Sequence, residues 1–272
     1  MNSVVVLDAC TIVNIARIDE DDFLEDKIKT LMNVYAVEKV LAEVKDHYVP
    51  SNKTSKRKLH VVPYWGGLKK WGDNDVKDET IKVKAFLNYQ KKPNGELFSA
   101  ALCLYLSRME GEKVLFYTDD YPAKTAFEDL FEFEQAGYIG DSVDLLVFLY
   151  WLSPKGQFSK DELEKYLTAL RGEYTSKVKV LQEKINHYAS TLTSSRNALK
   201  RKFEMEGLSA DLMRGQKLID CINKCKKYFD SDKSVLGKDI NRMLDDFTSC
   251  PIIVEKIGAT LQCIAKYGIY TI

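Results

Sequence analysis

Several features that would declare a function at once are missing from this 272-residue sequence. No run of about 18 apolar residues occurs, so no membrane-spanning helix is expected. The first residues lack a basic, apolar, small-residue leader and already carry an acid at position 8. Secretion is therefore not expected, and a cytoplasmic chain is. The six cysteines (10, 103, 221, 225, 250 and 263) are scattered among apolar residues instead of being grouped as metal ligands. Cys221 and Cys225 share a helix face, but no histidine or acid completes a zinc site, so all six read as reduced core thiols. The histidines, His47, His60 and His187, are isolated. There is no P-loop, no GxGxxG and no GxSxG, because Gly140-Asp141-Ser142-Val143-Asp144 lacks the second glycine of a nucleophile elbow. Internal repeats and low-complexity tracts are also absent.

Net charge is missing as well: 40 basic residues balance 40 acidic ones. The balance is not local. Residues 1–172 hold 23 Lys and Arg against 28 Asp and Glu, a net of −5, and residues 173–272 hold 17 against 12, a net of +5. An acidic first part beside a basic second part implies divided labour or two surfaces that attract each other. With 45% hydrophobic residues the chain has ample material for a core.

Val4-Val5-Val6-Leu7 is short, apolar and rich in β-branched residues, the pattern of a strand buried on both faces of a parallel sheet. It stops at Asp8. Asn33–Val37 and Val114–Tyr117 read as further strands, Leu59–Val62 as another, and Gly137–Ile139 as a short last one. Between them helical spacing runs over Thr11–Arg17, Phe23–Met32, Glu38–Tyr48, Ile81–Leu87, Leu97–Met109 and Asp141–Leu152. Residues 63–75 read as irregular. Lys92-Pro93-Asn94-Gly95 is turn chemistry, Pro122 suits a first helical turn, and Ser159-Lys160-Asp161-Glu162 has capping-box form. Strands alternating with helices predict a three-layer, parallel-sheet α/β domain over residues 1–172. Residues 173–272 predict an all-helical domain, opening with one long helix over Tyr174–Glu204.

In a parallel sheet every strand's carboxyl end lies at one edge, together with the start of the helix that follows. Asp8, Asp119 and Asp120 all end apolar strands, and Glu96 opens a helix after a glycine turn, so these acids are expected at one edge. Clustered carboxylates repel each other unless a hard divalent cation lies among them. Mg²⁺ or Mn²⁺ held in this way can activate water for displacement at phosphorus.

Leu7-Asp8-Ala9-Cys10, Val40-Leu41-Ala42-Glu43-Val44, Gly95-Glu96 leading into Ser99-Ala100-Ala101, and Thr118-Asp119-Asp120 before a Lys124/Ala126 helix occur in an order and spacing that resemble the PIN domain. Gly137-Tyr138-Ile139, then Ser142-Val143-Asp144-Leu145-Leu146 and the Gly156-Gln157-Phe158-Ser159 turn, are similar to how such domains close. The likeness spans about residues 1–170, with a middle segment (50–92) longer than in the smallest members. It implies a metal-dependent endonuclease that cleaves RNA first, with DNA as the other polymer. The implied metal-binding and catalytic acids are Asp8, Glu43, Glu96 and Asp120, with Asp119 as neighbour or substitute and Mg²⁺ or Mn²⁺ as cofactor. The alternative is a silent PIN-like module that binds RNA or a protein. Stand-alone PIN domains often act as toxins held by an antitoxin, so an antitoxin-like or other protein partner is implied. The helical part would then replace such a partner, oligomerise the chain or select substrate.

Three basic or aromatic stretches are candidates for nucleic-acid contact. Lys53, Lys56, Arg57 and Lys58 form a basic loop suited to a phosphate backbone. Trp65, Lys69 and Lys70 interleave aromatic and basic side chains, as stacking surfaces do. Arg196, Lys200 and Arg201 cluster on the long helix. The bland readings are a solvated loop, aromatics packed on a core, and docking onto the acidic part.

Overall fold

The structure is a computed structural model that describes residues 3–19, 21–47, 69–90, 92–192, 196–214 and 218–267. Two compact units divide the chain, one formed by residues 1–170 with 263–272 and the other by residues 171–262. The division falls inside a long helix.

The first unit is mixed α/β. Strand β1 (Ser3–Leu7) leads through Asp8 straight into helix α1 (Ala9–Ile18). Helix α2 (Phe23–Leu31) begins where the Asp19 carboxylate accepts hydrogen bonds from the amides of Leu24 and Glu25, at 3.1 and 2.9 Å. The acidic run that interrupts the helical pattern therefore starts the second helix. Strand β2 (Met32–Val37) runs into α3 (Glu38–His47). After the undescribed residues 48–68 come β3 (Lys69–Trp71) and α4 (Lys77–Phe86). Helix α5 (Gly95–Glu110) has Asn94 as its N-cap and ends at Gly111, whose φ of 68° suits glycine. Then follow β4 (Val114–Tyr117), α6 (Tyr121–Glu134) capped by Asp120, β5 (Gly137–Gly140) and α7 (Ser142–Leu152). Asp141 and Asp144 form a reciprocal capping box on α7, so both serve as caps there.

Among the described residues the sheet has five strands, all parallel, in the order β3-β2-β1-β4-β5. Central β1 keeps Val4 to Leu7 at no more than 4% exposure, which requires cover on both faces. Helix α5 packs on β1, β2 and β4, with α4 and α6 beside it, while α1, α2 and α7 pack on one another, α2 against β2 and α7 against β5. Phe23 of α2 meets Phe158 and Tyr166 at 5.5 and 6.1 Å between ring centroids, closing the core beyond α7.

Two expectations change. The segment 69–71, read as irregular, is a strand: among the described residues β3 lies at the edge of the sheet, bonded only to β2, a position in which Lys-Lys-Trp needs no apolar pattern. In α4 the buried side is Glu79, Thr80 and Val83, whereas Ile81 and Phe86 face solvent at 58% and 47% exposure. The strand expected at Leu59–Val62 lies outside the described residues.

In the second unit every described element is a helix: the rest of α8 (Lys160–Thr191), then α9 (Arg196–Arg214), α10 (Leu218–Phe229), α11 (Val235–Asp246) and α12 (Cys250–Tyr267) as far as residue 262. The single helix expected over 174–204 is two. At its break the sequence is hydroxyl-rich, and the Ser190 and Thr191 hydroxyls bond back to the carbonyls of His187 and Tyr188 at 2.6 and 2.7 Å. Such local bonds compete with continuation of the helix. The core holds Leu181, Ile185, Ile222, Ile253 and Ile257, with an aromatic cluster of Tyr188, Tyr228 and Phe229 at 5.0–6.3 Å.

Gly137 at the start of β5 has φ of 148°, and a β-carbon there would lie 1.9 Å from the Val114 carbonyl oxygen. Gly137→Ala is expected to lower unfolding stability by about 2–4 kcal/mol, through backbone strain and loss of close pairing with β4. A denaturation midpoint equal to wild type would contradict this account.

Candidate functional site

The carboxyl ends of β1 and β4 are neighbours, yet the chain leaves β1 toward β2 and leaves β4 toward β5. Such a switch in direction opens a crevice at the carboxyl edge of a parallel sheet, where ligands of open α/β folds bind. Asp8 and Thr118-Asp119-Asp120 stand at this point.

Asp8 is 2% exposed. Its Oδ2 accepts from the Cys10 thiol at 3.0 Å and from the Thr118 hydroxyl at 3.1 Å. Its Oδ1 is buried with no hydrogen-bond partner. Burial, only partly offset by the Cys10 thiol, the Ala9 backbone amide and the Thr118 hydroxyl, raises the carboxyl from its ordinary 3.8 to about 6, and the negative charge of Glu43 adds to the rise. Burial, followed by the charges of Asp8 and Asp119 and the bond to Asp8, pushes the Cys10 thiol well above its usual range.

Glu43 comes from α3. One of its oxygens accepts from the Gly95 amide at 3.1 Å, and a β-carbon on Gly95 would sit 2.4 Å from the other. Glycine at 95 is thus what lets the start of α5 approach this carboxylate. Glu96, in the first turn of α5, accepts from the Asn94 amide group at 2.9 Å. Burial raises its carboxyl to about 8, followed by the charges of Asp8 and Asp120 and a side-chain hydrogen bond with Asp120. A bond between two carboxyl groups requires a proton between them. Four segments distant in sequence therefore come together pairwise: Glu43 acts on Asp8, and Asp8 and Asp120 act on Glu96.

Asp119 and Asp120 have different surroundings. Asp119 is buried, and it accepts from the Ser142 amide (2.7 Å), the Ser142 hydroxyl (2.5 Å) and the Asn14 side-chain amide (2.6 Å). It ties the end of β4 to α1 and to the start of α7. Asp120 uses Oδ1 to cap α6 through the Ala123 amide at 3.0 Å and meets Glu96. The Thr118 hydroxyl links the two halves of the pocket, donating to Asp8 and accepting from the Asp120 amide at 3.2 Å. Lys124 lies 3.4 Å from Asp141 and 3.7 Å from Asp144, so its charge is engaged beside the pocket. Asn14 and Ser142 carry no sequence signal of these roles. Thr118 and Cys10 do, as neighbours of the acids.

The candidate nucleic-acid residues are spread elsewhere. Lys53, Lys56, Arg57, Lys58 and Trp65 lie outside the described residues. Lys69 and Lys70 are on edge strand β3, where Lys70 is exposed. Arg196 opens α9, its side chain outside the description, and Lys200 and Arg201 are exposed on the same helix.

An orphaned buried carboxylate oxygen and an all-oxygen donor set have the chemistry that suits a hard cation. Among the described residues, however, no three His, Cys, Asp or Glu side chains stand as a ready-made metal site. Coordination would therefore need side chains to reorient. No family model, curated protein or solved structure matched this chain.

Without metal, folding raises the Asp8 pKa, so the folded state holds the proton more tightly than the unfolded chain. The cost is absent below about pH 4, grows as pH rises from 3.8 to about 6, and is complete above that. In EDTA, Asp8→Asn is expected to leave stability near pH 4 unchanged and to raise it at pH 7.5 by up to about 3 kcal/mol. Thermal denaturation at the two pH values checks this; equal destabilisation at both would contradict it.

Proposed function

We propose that the first unit is a PIN-like, metal-dependent endonuclease domain that cleaves phosphodiester bonds, in RNA foremost. The observation that carries this reading is Asp8. A fold has no structural use for a carboxylate at the end of its central strand with one oxygen buried and unpaired, under the charge of Glu43 and Glu96. Asp8, Glu43, Glu96 and Asp120 would hold the ion. Mg²⁺ or Mn²⁺ there supplies Lewis-acid activation of water and neutralises charge at phosphorus. The chain's own contribution is positioning. Cys10 and Thr118 fix the Asp8 carboxylate, Asn94 and Gly95 set Glu96 and Glu43, and Asp119 holds the backbone of Asp120. The helical unit is assigned to substrate selection, self-association or a protein partner.

A silent module of the same fold is the second reading. It draws support from the lack of a ready-made three-donor set and from the bond between Glu96 and Asp120, which a shared proton satisfies without metal.

Incubation of the full chain with generic single-stranded RNA and Mn²⁺ separates the two. The nuclease reading expects cleavage that EDTA stops and that Asp8→Asn and Glu96→Gln each reduce on the order of 100-fold or more, the upper end of what even outer partners of a metal site cost. Equal activity in wild type and Asp8→Asn removes it. No cleavage, with a pocket that takes up no Mn²⁺ at millimolar concentration, favours the silent module.

A further inference from the structure

Within the helical unit a cavity of about 600 Å³ is lined by Arg201 of α9, Lys224, Lys227 and Tyr228 of α10, and Ser231, Asp232 and Lys233 of the turn that follows. That volume lies inside the range of about 300–1,000 Å³ typical of small-ligand sites. Four cations face one carboxylate, a net of +3 on the wall. Among the described residues none of the four closes a salt bridge.

The carboxylate is occupied elsewhere. Asp232 accepts from the Tyr188 hydroxyl and, at 2.8 Å, from the Ser234 amide. It is packed so closely on Gly237 that a β-carbon there would lie 2.5 Å from it. Ser234 in turn caps α11 through the Gly237 amide at 3.0 Å. Asp232 therefore braces the turn that presents Ser231 and Lys233, and it does not act as counter-ion to the lysines. Arg201 bears electrostatically on both Asp232 and Tyr228, and Glu204 of α9 also acts on Tyr228. A concave wall with surplus positive charge and hydroxyls is disfavoured by its own repulsion until an anion enters. Guanidinium and ammonium groups beside hydroxyls suit phosphate oxygens.

We propose that this cavity binds phosphate groups, supplied by a nucleoside polyphosphate or by the phosphorylated end of a nucleic-acid strand. The inference is independent of the nuclease reading and is tested without metal. The full chain in EDTA is titrated by calorimetry with pyrophosphate, ATP, and a single-stranded oligonucleotide carrying either a 5′-phosphate or a 5′-hydroxyl. ATP bound more tightly than either oligonucleotide assigns the site to nucleotides. A preference for the 5′-phosphate form assigns it to strand ends.

In either case the double variant Lys224→Gln, Lys227→Gln is expected to weaken binding at least about tenfold. Lys179→Gln, exposed on α8 away from the cavity, should leave it unchanged. Asp232→Asn, which keeps the acceptor and removes the charge, should bind as tightly or more tightly. With the oligonucleotide, the slope of log affinity against log salt should shrink by about 0.7 for each lysine removed. All four cations are solvent-exposed, so glutamine should leave the melting curve in place. No binding of any probe at millimolar concentration overturns the proposal, as does equal affinity in the folded double variant.

Discussion

One constraint organises the first unit: a carboxylate sits where the central strand ends, out of reach of water. An isolated charge in such a place is expensive, and the protein relieves it only in part. One oxygen of Asp8 has a thiol and a hydroxyl as partners, and the other has none. The carboxyl accordingly leans toward its neutral form. Glu96, pressed by burial and by Asp8 and Asp120, leans further. The pocket is a store of unfavourable electrostatics at the position where the sheet topology opens a crevice, as expected of a site built for a ligand and not for stability.

The scaffold that holds this arrangement is made of ordinary parts. Parallel pairing of β1 with β4 sets Leu7 beside Tyr117, so Asp8 and Thr118 emerge side by side. Glycine at 95 admits the Glu43 side chain, and Asn94 both starts α5 and steadies Glu96. Asp119 draws together α1, β4 and α7 with three short hydrogen bonds. None of these groups needs to touch a substrate. Each fixes the backbone or the rotamer of one of the clustered acids.

Much of this was legible in the residues. Val4–Leu7 and Val114–Tyr117 declare themselves because strands buried on both faces must be apolar throughout, and an acid that ends such a run marks the sheet edge. Glu96 stood out as an acid directly after a glycine turn. The elements that escaped are those whose pattern is set by partners rather than by burial. Lys69–Trp71 is the edge strand of the described sheet. The face of α4 turns on Thr80 and Glu79, which count as polar in any periodicity. The break after Thr191 depends on hydroxyls bonding back along the helix. The distinct duties of Asp119 and Asp120 could not be read either, since Asn14 and Ser142 lie far away in sequence and are common residue types.

That division of duties has a practical side. Because Asp119 is fastened by three hydrogen bonds from Asn14 and Ser142 while the neighbouring side chain caps α6 and meets Glu96, this corner is anchored more by Asp119 than by residue 120. The chemistry of the crevice is thus separable from its architecture. On the proposed metal-dependent reading, residue 120 is the place to retune ion preference by design, with asparagine as the exchange that keeps a cap on α6.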